Sequence, residues 1–164
     1  MNLKRQGGNV ARWHTIPTNK GQTVAEHSWG VAMICRELWP TDYELMEAAL
    51  CHDLGEGFTG DVPWPAKTQS STLRKELDFM ENKHLDNIGA IVPLDNQQHE
   101  KLKLADMLEV LFYAIEEIEM GNQHFKEIFG RAYDYFESLN VKEEPVVLML
   151  QHLDYKYEEI TNAS

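Results

Sequence analysis

Apolar residues recur at every third or fourth position along most of this chain, the spacing of helix faces packed on a core. From Thr23 the apolar face runs through Val24, Val31, Ile34 and Leu38. Thr23-x-x-Glu26 reads as a capping box at its start, and Pro40 stops it. A second capping box, Thr41-x-x-Glu44, opens a helix with Leu45, Ala48, Ala49 and His52, and Gly55 is placed to end it. The stretch Gly55 to Lys67 holds three glycines before Asp61 and two prolines after it, which predicts a long loop. Helical spacing resumes from Ser71 to Ile88, breaks near Pro93, and returns from Gln98 to Met120, where Gly121 supplies a stop. Two further helices are predicted, over Gln123 to Leu139 and from Glu144-Pro145 onward, where proline suits the first turn. No alternating run of β-branched residues is long enough for a sheet. The expected fold class is all-α, a helical bundle of about five to seven helices.

Composition narrows this picture. A chain of 164 residues, 43% apolar, supports one hydrophobic core, so residues 1–164 read as a single domain. Met1 to Val10 is polar and shows neither a secretory signal nor an anchor, and no apolar run approaches the roughly 20 residues of a membrane span. Cys35 and Cys51 fall within helical patterns and form no C-x-x-C pair, which fits a reducing, cytoplasmic setting better than a disulfide framework. Fifteen basic against 27 acidic side chains give a net charge of -12, which disfavours nucleic-acid polymers and anionic membranes as partners. A phosphate-bearing ligand then needs a local cationic site.

The candidate chemistry emerges from polar residues on apolar faces. His27 shares a face with Val24, Val31 and Ile34. His52 falls with Leu45 and Ala48, Asp53 with Ala49 and Leu50, and Asp106 with Leu102, Val110 and Tyr113. An ionised carboxylate facing a core costs several kcal/mol, roughly, unless it is paired or bound to metal. Two imidazoles and two carboxylates suit one divalent transition metal, with Co, Mn, Zn, Ni and Fe all admissible. Adjacent residues on a helix point about 100° apart, so His52 and Asp53 reach one metal only at a helix end.

A His on one helix, a His-Asp pair ending the next and a distant Asp resemble the pattern of the HD-domain phosphohydrolases. The resemblance extends to the bacterial 5'-deoxynucleotidases of that superfamily and to small phage HD deoxynucleotide hydrolases. It rests on Arg12-Trp13, Val24-Ala25-Glu26-His27-Ser28, the His52 to Glu56 run, Thr59-Gly60-Asp61, Pro63-Trp64-Pro65-Ala66-Lys67, and Glu116-Glu117 followed by Gly121-Asn122. It covers about Arg12 to Phe125 and implies an HD-type bundle.

By position, the resemblance implies that His27, His52, Asp53 and Asp106 hold the metal while Glu56 and Asp61 handle the attacking water. Water at such a metal has its pKa lowered from ~15.7 toward ~7. Arg12 clamps the phosphate, which lies against His27, Asp61 and Asp106, and Lys67 adds a second cation. Trp13 packs on sugar or base, while Trp64, Pro65 and Ala66 form a loop wall that selects the sugar or base, with Thr15 and Ile16 nearby. The residues alone leave other roles open: Glu56 as a turn cap, Asp61 in an Asx-turn, Trp13 and Trp64 as packing, Arg12 and Lys67 as solvated charges. His14, His84, His99, His124 and His152 read as structural or exposed, although His84 and His99 are placed where a second metal would draw ligands. The implied reaction is hydrolysis of a 2'-deoxyribonucleoside 5'-monophosphate to deoxynucleoside and phosphate. Release of tripolyphosphate from a deoxynucleoside triphosphate is the alternative, and an inactive nucleotide-binding domain the minor one. The resemblance also implies a homodimer or larger assembly. The last helices, with Phe129, Tyr133, Phe136, Val147, Leu150 and Leu153 at helical spacing, either complete the core or pack an interface.

Overall fold

A computed structural model describes residues 3–162; Met1, Asn2, Ala163 and Ser164, and with them the ends of the predicted domain and N-terminal segment, lie outside it. The described residues form helices α1 (Leu3–Gly7), α2 (Val24–Leu38), α3 (Tyr43–Cys51), α4 (Glu56–Thr59), α5 (Trp64–Gln69), α6 (Ser71–Asn87), α7 (Asn96–Glu119), α8 (His124–Ser138) and α9 (Glu144–Asn162). The six longer ones, α2, α3 and α6 to α9, are those the periodicity predicts. The extra segments are short, and two of them fold within or at the end of the stretch expected as loop, where turns of Glu56–Thr59 and Trp64–Gln69 close locally. The only bridge among the described residues pairs Ala11 with Thr23.

The helix starts follow from side chains that satisfy free backbone N–H groups. Thr23 and Glu26 form the predicted capping box of α2. Asp95 and Gln98 form another at α7, and Ser70 caps α6. At α3 the expected cap is corrected: Asp42, not Thr41, accepts from the Leu45 amide. The end of α3 is corrected as well. It stops at Cys51, and Gly55 instead precedes α4, where a Cβ would lie 2.8 Å from Glu81 Cβ. Glycine is needed there because the chain passes against α6.

The 24-residue α7 is the central element: α2, α3, α8 and α9 all pack on it. Leu108, Leu111, Ala114, Ile115 and Ile118 line its inward side against Val31, Cys35 and Leu45. Phe129, Phe136, Leu150 and Leu153 join this same core, and Phe129 stacks on Tyr157 at 4.3 Å, so α8 and α9 complete it. Each such aromatic or leucine buried contributes roughly 1.5 to 3 kcal/mol. A smaller cluster of Val24, Leu54, Leu85 and Ala90 joins α2 and α6 below the turn that follows α3. Cys35 is buried and Cys51 half-buried, both as free thiols. No helix among the described residues is long and apolar enough to cross a membrane.

Candidate metal centre

Two helices and a turn converge on one point. His27 projects from the first turns of α2 into the interior and is fully buried. His52 and Asp53 follow the last residue of α3, where the chain leaves the helix through consecutive turns closed by Leu54 N–H on Cys51 O and Glu56 N–H on Asp53 O. This break lets two adjacent side chains face the same space. A ligand atom from each of His27, His52 and Asp53 lies within 4.8 Å of the others. Asp106 of α7 lies beside this group, its Oδ1 3.0 Å from His27 Nε2.

The nitrogens facing this point lack ordinary partners. His52 Nδ1 lies 2.7 Å from the Ala49 carbonyl oxygen, which can only accept, so Nδ1 holds the proton and Nε2 the lone pair. His52 Nε2 and His27 Nε2 are both buried without a hydrogen bond, although carboxylate oxygens of Asp53 and Asp106 lie 3.0 to 3.5 Å away. Orphaned imidazole nitrogens among carboxylate oxygens are a donor set that fits a divalent transition metal. Without a cation there, burial opposes the charged form of His27, yet the neighbouring carboxylates of Asp106 and Glu109 outweigh it and lift the imidazolium to about 9. Asp106 moves the other way: burial favours its acid form, but His27 beside it holds it well below the usual carboxylate range.

Cations and carboxylates ring this group. Arg12 Nη1 donates to Asp53 Oδ2 at 2.8 Å. Burial disfavours its charge, but Asp53, Asp106, Glu109 and Glu56 together raise its pKa. Glu56 is buried at 4% exposure with Oε2 unpartnered, and Lys67 Nζ lies 3.4 Å from its Oε1. Burial, then the charges of Asp53 and Asp61, push Glu56 up to about 8. Asp61 is half-buried, 3.9 Å from His14 Nδ1. His14, read as structural or exposed, is exposed, and its ring is the neighbour of Asp61.

The predicted substrate wall takes a different form. Trp64, Pro65, Ala66 and Lys67 lie on α5, a short helix rather than an open loop, because proline in its first turn needs no N–H partner. Trp64 is exposed and tilts toward Tyr135, while Lys67 turns inward to Glu56. Trp13 stacks on Tyr113 at 5.6 Å and meets Phe125 edge-on, so one of its faces is taken by the core and not by a sugar or base. Its φ of 61° places a bulky residue in the left-handed region next to Arg12, a strained turn held by that packing. Ile16 also packs against the core, and Thr15 is exposed.

Within the loop that the bridge closes, Asn19 and Lys20 amides donate to the buried Glu117 carboxylate at 2.8 and 2.7 Å, and Asn122 Nδ2 donates to Pro17 O. These bonds tie the loop after Trp13 to α7. Glu117 and Asn122, noticed in the sequence only as part of a pattern, thereby acquire a physical role. Glu109 and Gln22 were missed. Glu109 sits behind His27, on the ring edge away from the metal group, and Gln22 donates to it at 2.7 Å. A buried Glu three residues after Asp106 was the available signal. His84 stacks on Phe58 and His99 lies exposed in the first turn of α7. Neither belongs to the group of His27, His52 and Asp53, so a second metal gains no support from them.

Comparison with known proteins bears on the family and the fold. The family model described as "5'-deoxynucleotidase YfbR-like" matches residues 5–154, well past the stretch in which the motifs lie. The chain is 35% identical over 148 residues to a dATP triphosphohydrolase of Salmonella phage PMBT28, covering 80% of this chain and 73% of that protein. It is 27% identical over 147 residues to a 5'-deoxynucleotidase of Pasteurella multocida, covering 74% and 75%. In structure it resembles the HD phosphohydrolase DatZ of cyanophage S-2L, solved with dA and one catalytic Zn2+ ion. The TM-score is 0.69 over 99% of this chain and 96% of that one; at 21% identity this likeness speaks for the fold.

Proposed function

The chain belongs to the 5'-deoxynucleotidase YfbR-like family, and from that membership we propose that it is a metal-dependent hydrolase of 2'-deoxyribonucleotides, acting on 5'-monophosphates to release deoxynucleoside and phosphate. The observation that carries the reading is the pair of buried, unpartnered imidazole nitrogens of His27 and His52 beside Asp53 and Asp106, with the Arg12 guanidinium against them. His27, His52, Asp53 and Asp106 would hold one divalent transition metal, which supplies Lewis acidity toward the phosphate and lowers the pKa of water.

The chain's own groups perform the rest. Arg12 and Lys67 are the cations that let so acidic a protein accept a phosphate, Arg12 through two-point donation to its oxygens. In the free protein their partners are Asp53 and Glu56, so the phosphate exchanges places with carboxyl groups. Glu56, buried and held near neutral pH in its titration, is suited to take a proton from water, and Asp61 to orient that water. Trp13 shapes the turn that aims Arg12, and Trp64, Pro65 and Ala66 on α5 form the outer wall. For assembly we keep a homodimer or larger; its support is the exposure of Trp29 and Met33 on α2, and light scattering tests it.

A second reading is favoured by the 35% identity to the phage dATP triphosphohydrolase, namely cleavage of the same bond in a deoxynucleoside triphosphate with release of tripolyphosphate. Both reactions break the link between the 5' oxygen and the α-phosphorus, so the metal group serves either. A panel of deoxy and ribo mono-, di- and triphosphates with Co, Mn, Ni and Zn separates them. Phosphate from dAMP, with no tripolyphosphate from dATP, is the expected outcome; the reverse transfers the assignment to the second reading.

A further inference from the structure

Behind His27 runs a buried chain of hydrogen bonds that leads away from the metal group. Trp13 Nε1 donates to Gln22 Oε1 at 2.9 Å, Gln22 Nε2 donates to Glu109 Oε1 at 2.7 Å, and Glu109 Oε2 faces His27 Nδ1. Gln22, Glu109 and His27 are buried, at 6%, 7% and 0% exposure, so water does not substitute for any of these bonds. The polarity of such a chain follows from which groups can only donate.

An indole N–H has no acceptor role. The Gln22 amide must therefore turn its oxygen to Trp13, which leaves its NH2 aimed at Glu109. An amide N–H on one carboxylate oxygen favours the ionised form, and the other oxygen then accepts. His27 meets that oxygen with Nδ1, so Nδ1 keeps its proton and Nε2 is the nitrogen left to offer a lone pair to a metal beside Asp53 and Asp106. Were the amide reversed, the carboxyl would have to donate to Gln22, and the indole would face a second donor.

We propose that Glu109 is a positioning residue for metal binding, fixing the ring and tautomer of His27, and that Trp13 sets its direction through Gln22. The inference rests on the metal reading above and deepens it. It also gives Trp13 a function compatible with its packing: the indole contributes its N–H, while its face serves the core. Carboxylates in this place behind a ligating imidazole orient it and raise its basicity, and their loss lowers metal affinity by about 10- to 100-fold.

The direction of the chain supplies a test that packing alone does not pass. In Glu109→Gln the new amide cannot satisfy both neighbours: with its oxygen toward His27, its NH2 meets the NH2 of Gln22, and Gln22 cannot turn without opposing the Trp13 N–H. Adding Gln22→Glu removes the conflict. A carboxylate at position 22 accepts from both the Trp13 indole and the new amide at position 109, whose oxygen again accepts from His27. Zinc affinity by chelator competition, with 15N spectra of the His27 ring in the zinc-loaded protein, reads the outcome. Wild type should show a protonated Nδ1. Glu109→Gln should lose about 10- to 100-fold in affinity and that signal, and the double variant should recover most of both. Wild-type affinity in Glu109→Gln, or a double variant no better than the single one, overturns the proposal. If Glu109→Gln does not fold, the folded double variant decides alone, by wild-type-like or weak zinc binding. A wild-type protein that binds no zinc, cobalt or manganese overturns the metal reading itself, a result distinct from either.

Discussion

Arg12 Nη1 and Asp53 Oδ2 lie 2.8 Å apart, which joins the proposed phosphate clamp directly to a proposed metal ligand. Hydrogen bonds to charged groups are worth about 1.5 to 3 kcal/mol. Arg12→Ala should therefore lower kcat/KM about 10- to 100-fold. Metal affinity should not fall in parallel, because the substitution frees an Asp53 oxygen rather than removing a donor to the metal. Steady-state kinetics and metal competition on one preparation check this; equal losses in both would contradict the clamp role.

The metal-free protein should lose stability as pH rises. His27 is lifted from 6.5 to about 9 and Glu56 from 4.5 to about 8, so in both cases the folded state binds the proton more tightly than the unfolded chain. Their stabilising contribution is complete at acid pH and is lost from 4.5 to about 8 for Glu56 and from 6.5 to about 9 for His27. The depressed Asp106 acts oppositely, but only below its ordinary 3.8, outside this window. Chelator-treated protein should melt at steadily lower temperature between pH 6.5 and 9. Added zinc should raise the melting temperature most at the alkaline end, where no proton competes for His27.

The six longer helices were legible from their apolar stripes, and His27, His52, Asp53 and Asp106 stood out as polar groups on those stripes. What the sequence did not show is instructive. Thr41 and Asp42 both suit a cap, and which one accepts from Leu45 depends on a single turn of backbone. The stretch after His52 folds into short helices because Gly55 packs against Glu81, a contact 26 residues away that no local pattern encodes. The resemblance set Trp13 against sugar or base and the residues alone left packing open; the stacking on Tyr113, a hundred residues on, is a tertiary fact. Gln22 carries no signal of its own, since its role exists only between Trp13 and Glu109.

Glu117 is the anchor of the loop that follows Trp13. Its carboxylate is fully buried and accepts from the Asn19 and Lys20 amides and from Asn122. Glu117→Gln replaces an acceptor oxygen by a donor that faces other donors, and should cost about 2 to 4 kcal/mol of stability. Chemical denaturation measures it. The same variant should keep its zinc affinity, since Glu117 has no bond to His27; a large loss of zinc binding in folded protein would show that the loop and the metal group are coupled.

Gly30 faces Glu109 across the interface of α2 and α7, and a Cβ there would lie 2.8 Å from Glu109 Cγ. Alanine is favoured over glycine by about 1 kcal/mol within a helix. Gly30→Ala should nonetheless weaken zinc binding, because Glu109 is held at both oxygens and cannot move aside without releasing Gln22 or His27. Unchanged zinc affinity in this variant would mean that Glu109 has room the structure does not give it.

The central claim is that His27, His52, Asp53 and Asp106 hold one metal on which deoxynucleotide hydrolysis depends. The direct measurement is titration of zinc, cobalt or manganese into chelator-stripped protein while deoxynucleoside release from dAMP and dATP is followed together with bound metal per chain. Hydrolysis absent from the stripped protein and restored in step with one metal per chain is the predicted result. Undiminished hydrolysis after stripping, or activity that appears only with a second metal bound, would contradict it.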